Sequence, residues 1–248
     1  ASPGGLRDIH TTLWVCNRQF GTTDIEELVR LEVLTDIEAR WLRDGMRFLW
    51  WVRYGLHTLA GRKEDQLHFA RQRELSQRLG FMDTESKSAV ELFMQHYYRH
   101  VMALSEVNDI ILQYFQEDIV AKKKPTMEPL NERFRLVNRR IDVVQPDIFL
   151  KNPSAMLEMF LLMAQREENI RVRVTAIRAL RDAVHLIDEE FRRNPENCRL
   201  FLRILKAPYT VVTQLTRMRR YGVLGRYLPA FGDIVGQMQH DLFHIYTV

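Results

Sequence analysis

The chain has 248 residues, of which 46% are hydrophobic and 27% charged; that balance excludes a chain disordered throughout and leaves enough length to bury a core. Its net charge of +4 comes from 36 basic and 32 acidic residues of interspersed sign, so the densest basic stretches, Lys122, Lys123 and Lys124 and residues 217–220, read as a solvated loop and helix face rather than a nucleic-acid groove. Two distant cysteines, Cys16 and Cys198, with no CxxC pattern, exclude a disulfide scaffold or a zinc knuckle and point to a reducing cytoplasm, and no apolar run approaches the ~20 residues a membrane span requires.

The predicted elements are mostly helical. Leu6, Ile9, Leu13, Cys16 and Phe20 recur at spacings of three and four, which gives one apolar helix face, preceded by a Ser2-Pro3-Gly4-Gly5 turn and stopped by Gly21. Two S/T-x-x-E capping boxes follow, at Thr23–Glu26 and Thr35–Glu38. The second opens a long helix with Trp41, Phe48, Val52, Leu56 and Leu59 inward, closed by Gly61 and the charged run 62–65. A shorter helix over 67–79 ends at Gly80. Over 86–118, Val90, Met94, Tyr97, Val101, Leu104, Asn108, Ile111 and Phe115 alternate steps of four and three. That seam predicts a helix about 45 Å long. Asn108 is polar on that seam, suited to fixing register or to bonding a neighbouring element.

Residues 121–129 carry three lysines and two prolines and read as an exposed linker. Beyond it, two β-like runs over 134–144 flank Asn138-Arg139 and predict a hairpin, the strongest strand signal in the chain. Asn152-Pro153 and Asn194-Pro195 each read as an N-cap followed by proline at the first helical position. Helices are expected over 175–187 and from Pro208 to Tyr221, where Gly222 stops the chain; Gly225, Pro229 and Gly232 punctuate the rest. The 155–164 stretch is apolar but short and interrupted by Glu158. No repeat of 20–50 residues is present.

Sequences for phosphate cradles, nucleophile elbows and zinc proteases are absent, as is the Asp-x-Asp pair that two-metal nucleotidyl transfer commonly uses. Two local motifs carry chemistry. Gly4-Gly5-Leu6-Arg7-Asp8 places two glycines and an arginine where a helix begins, a pattern able to approach and hold a phosphate; an ordinary glycine turn with a surface Arg–Asp pair fits it as well. His240 and His244, with Asp241 between them, share a helix face and supply two metal ligands, one fewer than catalytic zinc takes; their apolar neighbours also fit a packed helix.

Taken together, residues 2–10, Phe20-Gly-Thr-Thr23, Phe48-Leu-Trp-Trp-Val-Arg-Tyr-Gly-Leu-His57, Phe93-Met-Gln-His-Tyr-Tyr-Arg99, Ile141-Asp142, Val223-Leu-Gly-Arg-Tyr-Leu-Pro229, Ile234–Gln239 and 241–248 resemble the central helical region of the bacterial protein-PII uridylyltransferase/uridylyl-removing enzymes. The early blocks are shared in part with glutamine synthetase adenylyltransferase, which is the alternative family; a non-catalytic helical interaction module and a basic nucleic-acid binder are the alternatives outside it. The resemblance implies a bifunctional parent with a nucleotidyltransferase domain, this region, a hydrolase domain and two small-molecule-sensing domains. Such a parent moves UMP from UTP to protein PII and removes it again, under glutamine control and with Mg2+ or Mn2+. It further implies that the chain is a piece of a longer protein with no catalytic residues or bound metal of its own. His240-Asp241 then falls outside the hydrolase metal pair. The one departure noted is Arg171, where the family often carries glycine, which puts a tight turn there in doubt. The resulting expectation is a mostly α fold, a helical bundle with one small β-hairpin. Residues 1–120 form a helical domain that follows the nucleotidyltransferase domain, and 121–248 a hairpin-plus-helix region leading into the hydrolase domain. Gly4, Gly5, Arg7 and Asp8 are the nucleotide-proximal candidates, and neither nucleic acid nor membrane is expected as a partner.

Overall fold

The computed structural model describes residues 4–121 and 125–234, with the side chains of 118–121 left aside. The fold is mostly α with a small four-stranded sheet. Its described residues divide into two compact units, 4–114 with Ile234, and the described residues of Phe115–Asp233.

In unit 1, α1 (Leu6–Phe20) buries Ile9, Thr12 and Cys16 and ends at Gly21, whose φ of 75° is the left-handed geometry glycine adopts without a Cβ penalty. Burial pushes the Cys16 thiol up to about 11, which makes it a packing group and no nucleophile. The capping box expected at Thr23–Glu26 does not form. Asp24 instead caps α2 (Ile25–Arg30), accepting from the backbone N–H groups of Glu26 and Glu27. The carboxylate wins because it stands one residue closer to two orphan donors and carries the charge that a helix N-terminus favours. The second box is present: Thr35 Oγ1 accepts from Glu38 N at 3.3 Å, and Glu38 Oε2 accepts from Thr35 N at 2.9 Å.

That box opens α3 (Asp36–Ala60), which buries Leu42, Phe48, Leu49, Val52 and Leu56 around two interior glycines. A Cβ on Gly45 would stand 2.6 Å from Leu104 Cγ, and one on Gly55 would stand 2.7 Å from Leu75 Cδ1, so both glycines pay a helix-propensity penalty for close approach. Next come α4 (Phe69–Arg78) and α5 (Ala89–Ala121). A further reciprocal box, with Ser88 N donating to Glu91 Oε2 at 2.8 Å and Glu91 N to Ser88 Oγ at 3.3 Å, fixes the start of α5. The seam on α5 is broader than the four-three pattern. Phe93, Val107 and Ile110 are buried beside it, while Tyr97 and Val101 are only partly covered. Asn108 Oδ1 accepts from Thr12 Oγ1, so the polar seam residue ties α5 to α1.

In unit 2, part of the expected linker is strand. β1 (Met127–Pro129), β2 (Phe134–Val137), β3 (Arg140–Val143) and β4 (Arg171–Val172) lie in that order, antiparallel for the first three and parallel for the last pair. The hairpin turns at Asn138 and Arg139, both with positive φ (50° and 60°), as a two-residue primed turn requires. Asn138 further accepts from Thr126 N through its side-chain oxygen at 3.0 Å. Arg171 sits in extended backbone in β4, not in a tight turn.

The short helix α6 (Ile148–Lys151) is followed by α7 (Ala155–Ala164). Asn152 is not its side-chain N-cap. The turn bonds main chain to main chain, with Ala155 N donating to Asn152 O at 3.0 Å and Met156 N to Pro153 O at 3.0 Å, because α6 ends immediately before and the chain must reverse within three residues. Met156, Leu157, Met159, Phe160, Leu161 and Met163 are all buried, so α7 is apolar all round because it is the centre of unit 2. Glu158 at its edge is held by Arg133 Nε at 2.6 Å and Nη2 at 2.9 Å. Around it stand α8 (Val174–Ala183), a single 3-10 turn (Val184–Leu186), α9 (Glu189–Arg193), α10 (Pro195–Leu205) and α11 (Val211–Arg220). The Asn194-Pro195 cap forms as expected, with Asn194 Oδ1 accepting from Glu196 N at 2.8 Å. Beyond Gly222 the punctuated segment forms two further helices, α12 (Val223–Tyr227) and α13 (Pro229–Ile234).

A buried polar cluster joins the hairpin to α8. Asp142, 2% exposed, accepts from Arg173 Nη1 at 3.0 Å and Thr175 Oγ1 at 2.6 Å and pairs with Arg135 at 3.5 Å. Glu117, near the end of α5, takes Arg173 Nε at 3.2 Å and Val174 N at 3.4 Å. Two carboxylates thereby hold the N-terminal turn of α8, where their charge complements the helix dipole.

Candidate functional site

The motif at 4–8 forms the start of α1. Gly4, at φ 78°, is buried, and a Cβ there would collide with the backbone carbonyl of Val101 on α5; that approach accounts for its lack of a side chain. Gly5 is the N-cap of α1 in extended backbone, and its carbonyl accepts from Asp8 N at 3.0 Å and Ile9 N at 3.3 Å. Asp8 turns back to accept from Gly4 N at 2.7 Å, which makes it the capping group for the turn. The Arg7 side chain is exposed and makes no ion pair among the described residues. The structure therefore brings Gly4, Gly5 and Asp8 together as one locked turn and leaves Arg7 facing outward from it.

The neighbouring flank carries no motif that sequence alone marks as a site. The His10 ring on α1 lies 6.4 Å from the Trp50 ring on α3, and the Arg53 guanidinium stands over Trp50 at 5.2 Å. Arg53 Nε reaches Asp65 Oδ1 at 2.7 Å, and His57 Nε2 lies 3.1 Å from the same oxygen. Hydrogen bonds from Arg53 and then His57 hold the Asp65 carboxyl below its usual range, so it stays ionised and has no acid role at neutral pH. Arg53 and His57 stand one helical turn apart on α3, which sequence alone shows. Their partner arrives only because the loop after Gly61 folds back.

The outward faces of α1 and α3 carry unusual apolar area. Trp14 is 77% exposed, Tyr54 74%, Trp51 47% and Trp50 45%. Large exposed aromatics among arginines are the composition of interaction surfaces.

Elsewhere the candidate sites resolve differently. Arg217 of the 217–220 stretch is half-buried and donates to Ile170 O at 2.6 Å and Asn169 Oδ1 at 2.9 Å, so it closes a loop of unit 2. Lys122, Lys123, Lys124, His240, Asp241 and His244 lie outside the described residues. Among the described residues no three His, Cys, Asp or Glu side chains converge as a metal cage. No described helix is long and apolar enough to cross a membrane.

Residues 1–112 match the family described as GlnD PII-uridylyltransferase, and residues 134–227 match the Uridylyltransferase GlnD third domain. The whole chain is 52% identical to 28% of a bifunctional uridylyltransferase/uridylyl-removing enzyme from Pseudomonas aeruginosa strain LESB58. Over 99% of the chain it is 51% identical to 27% of the enzyme of that name from Pseudomonas entomophila, and over its whole length 50% identical to 28% of the one from Azotobacter vinelandii. The chain thus spans under a third of the length of these curated relatives. No solved structure matches it.

Proposed function

The chain belongs to the GlnD uridylyltransferase family as a central segment of the parent protein, and from that premise we propose that it is the helical platform of a bifunctional enzyme that transfers UMP from UTP to protein PII and removes it under glutamine control. The parent acts in the cytoplasm with Mg2+ or Mn2+ held by its other domains, and the segment supplies no ligand for those ions. Its own work is to seat the transferase domain and to place one nucleotide-facing cation. The observation that carries this reading is the outer surface of unit 1: a turn from Gly4 to Asp8 closed by the Asp8–Gly4 bond, an exposed Arg7, and on the same helix His10, 6.4 Å from the exposed Trp50 of α3. A domain seated there would remove that apolar area from water at roughly 25 cal/mol per Å2.

Arg7 supplies the test. Arg7→Ala in the intact parent enzyme is expected to lower uridylyl transfer about ten-fold or somewhat more, the loss of one charge-assisted contact of about 1.5–3 kcal/mol, and to spare uridylyl removal. Equal loss in both reactions would mean misfolding, and unchanged transfer would take Arg7 out of the site. The 248-residue chain alone is expected to be inactive in both directions, since no described cluster of carboxylates can hold two catalytic metals. Metal-dependent turnover of PII or PII-UMP by the pure segment would overturn that.

A further inference from the structure

One pair of side chains in unit 1 lies at the edge of the core, away from the α1 flank. His96 and His100 stand four residues apart on α5, and their Nε2 atoms lie 3.1 Å from each other. Both rings are fixed by aromatic neighbours. His100 stacks on Phe48 at 4.5 Å and 21°, and His96 packs against Phe48 at 5.1 Å and Phe81 at 6.0 Å. The two Nε2 atoms thus stand close enough to share one proton or one cation.

Besides bonding to water, two neutral imidazoles in that arrangement can engage each other's nitrogens in two ways. They share one proton, which demands opposite tautomers of the two rings, or they coordinate one cation. The separation also admits the second. With metal–nitrogen bonds of about 2.0–2.1 Å, a nitrogen separation of 3.1 Å subtends an angle of about 98°, between the octahedral and tetrahedral values. Imidazole is a borderline ligand that favours Zn2+, Ni2+ and Cu2+ over Mg2+. Partial desolvation, with the Arg99 charge acting on His96 and His96 acting on His100, keeps both imidazoles below their usual basicity, so protons compete weakly for the nitrogens at neutral pH. Arg99 opposes a bound cation and Asp44 on α3, which faces His100, favours one.

We propose that His96 and His100 form a bidentate site for a borderline divalent transition-metal ion, its remaining positions filled by water. Two protein ligands make it an open site of modest affinity, distinct in chemistry from the hard Mg2+ or Mn2+ of the parent reaction. Bridging one turn of α5 beside Phe48, the ion couples metal level to the stability of unit 1.

The test is calorimetric titration of the full chain with Zn2+ and Cu2+, in a background carrying His240→Ala and His244→Ala to remove the other four-spaced pair. One ion per chain is expected, tighter for Cu2+ than for Zn2+, with no heat from Mg2+. His96→Asn, at an exposed position, should weaken binding at least ten-fold, and His10→Asn should not. Pulsed electron paramagnetic resonance on the unmutated pair with Cu2+ counts the coordinated imidazoles without any substitution in the site. Two equatorial imidazoles support the site, while one or none overturns it, as does undiminished affinity in a folded His96→Asn chain.

Discussion

Asp142→Ala is expected to cost unit 2 about 2–3 kcal/mol, the scale for losing charge-assisted hydrogen bonds to a buried carboxylate whose arginine partners are partly exposed. The carboxylate is almost fully buried, accepts from Arg173 and Thr175, and pairs with Arg135. Its loss leaves Arg135 and the Thr175 hydroxyl without this acceptor, takes one of two carboxylates from Arg173, which keeps Glu117, and loosens β3 from α8. Asp142→Asn, which keeps the shape and one acceptor, should cost less. The measurement is denaturant unfolding followed by far-ultraviolet circular dichroism. All four tryptophans, Trp14, Trp41, Trp50 and Trp51, fall in unit 1, so tryptophan emission reports whether the damage reaches that unit. A change under 1 kcal/mol would mean that Arg173 is satisfied by Glu117 alone.

The second large effect is expected at Gly4. Alanine there must adopt a φ of 78° and place its Cβ against the Val101 carbonyl, so strain and overpacking add to about 2–4 kcal/mol. Gly21 is the internal control. Its φ of 75° is nearly the same, but nothing lies within 4 Å of its Cβ position, so Gly21→Ala should cost only about 1–2 kcal/mol. Equal costs at the two positions would show that the approach of the 4–8 turn to α5 contributes nothing.

The elements that sequence reveals here are those whose signal is local. Gly21, Gly61 and Gly222 end helices with left-handed backbone, and Thr35 and Glu38 close their box within four residues. Asn138-Arg139 turns the hairpin by the same kind of rule. What depends on a distant partner is hidden. Nothing in Met127-Glu128-Pro129 reads as strand, and its three residues pair with β2 while all remaining exposed. β4 is two residues long and exists only through β3. The breadth of the α5 seam owes part to Phe93, which packs against Phe48 of α3 and against Phe81, contacts that spacing along α5 alone cannot reveal. Within the candidate site, the bond from Gly4 N to Asp8 spans only four residues and so belongs to the local kind. The Arg53–His57–Asp65 group does not, since Asp65 approaches across a loop. The His96–His100 pair shows its spacing in sequence, but its convergence depends on Phe48 from another helix.

The sheet of unit 2 also ends abruptly on both sides, and this matters for how the protein behaves at high concentration. An open sheet edge is a template on which a second chain can add a strand, the first step toward edge-to-edge aggregation. Here one outer strand is β1, three residues long, with Pro129 lacking a donor and Glu128 paired to Arg166 at 3.6 Å. The other is β4, which gives way after Val172 to the start of α8. Neither rim offers enough consecutive hydrogen-bonding groups to recruit a neighbour. Unit 2 thus keeps a twisted β layer without the self-association hazard that such layers usually bring.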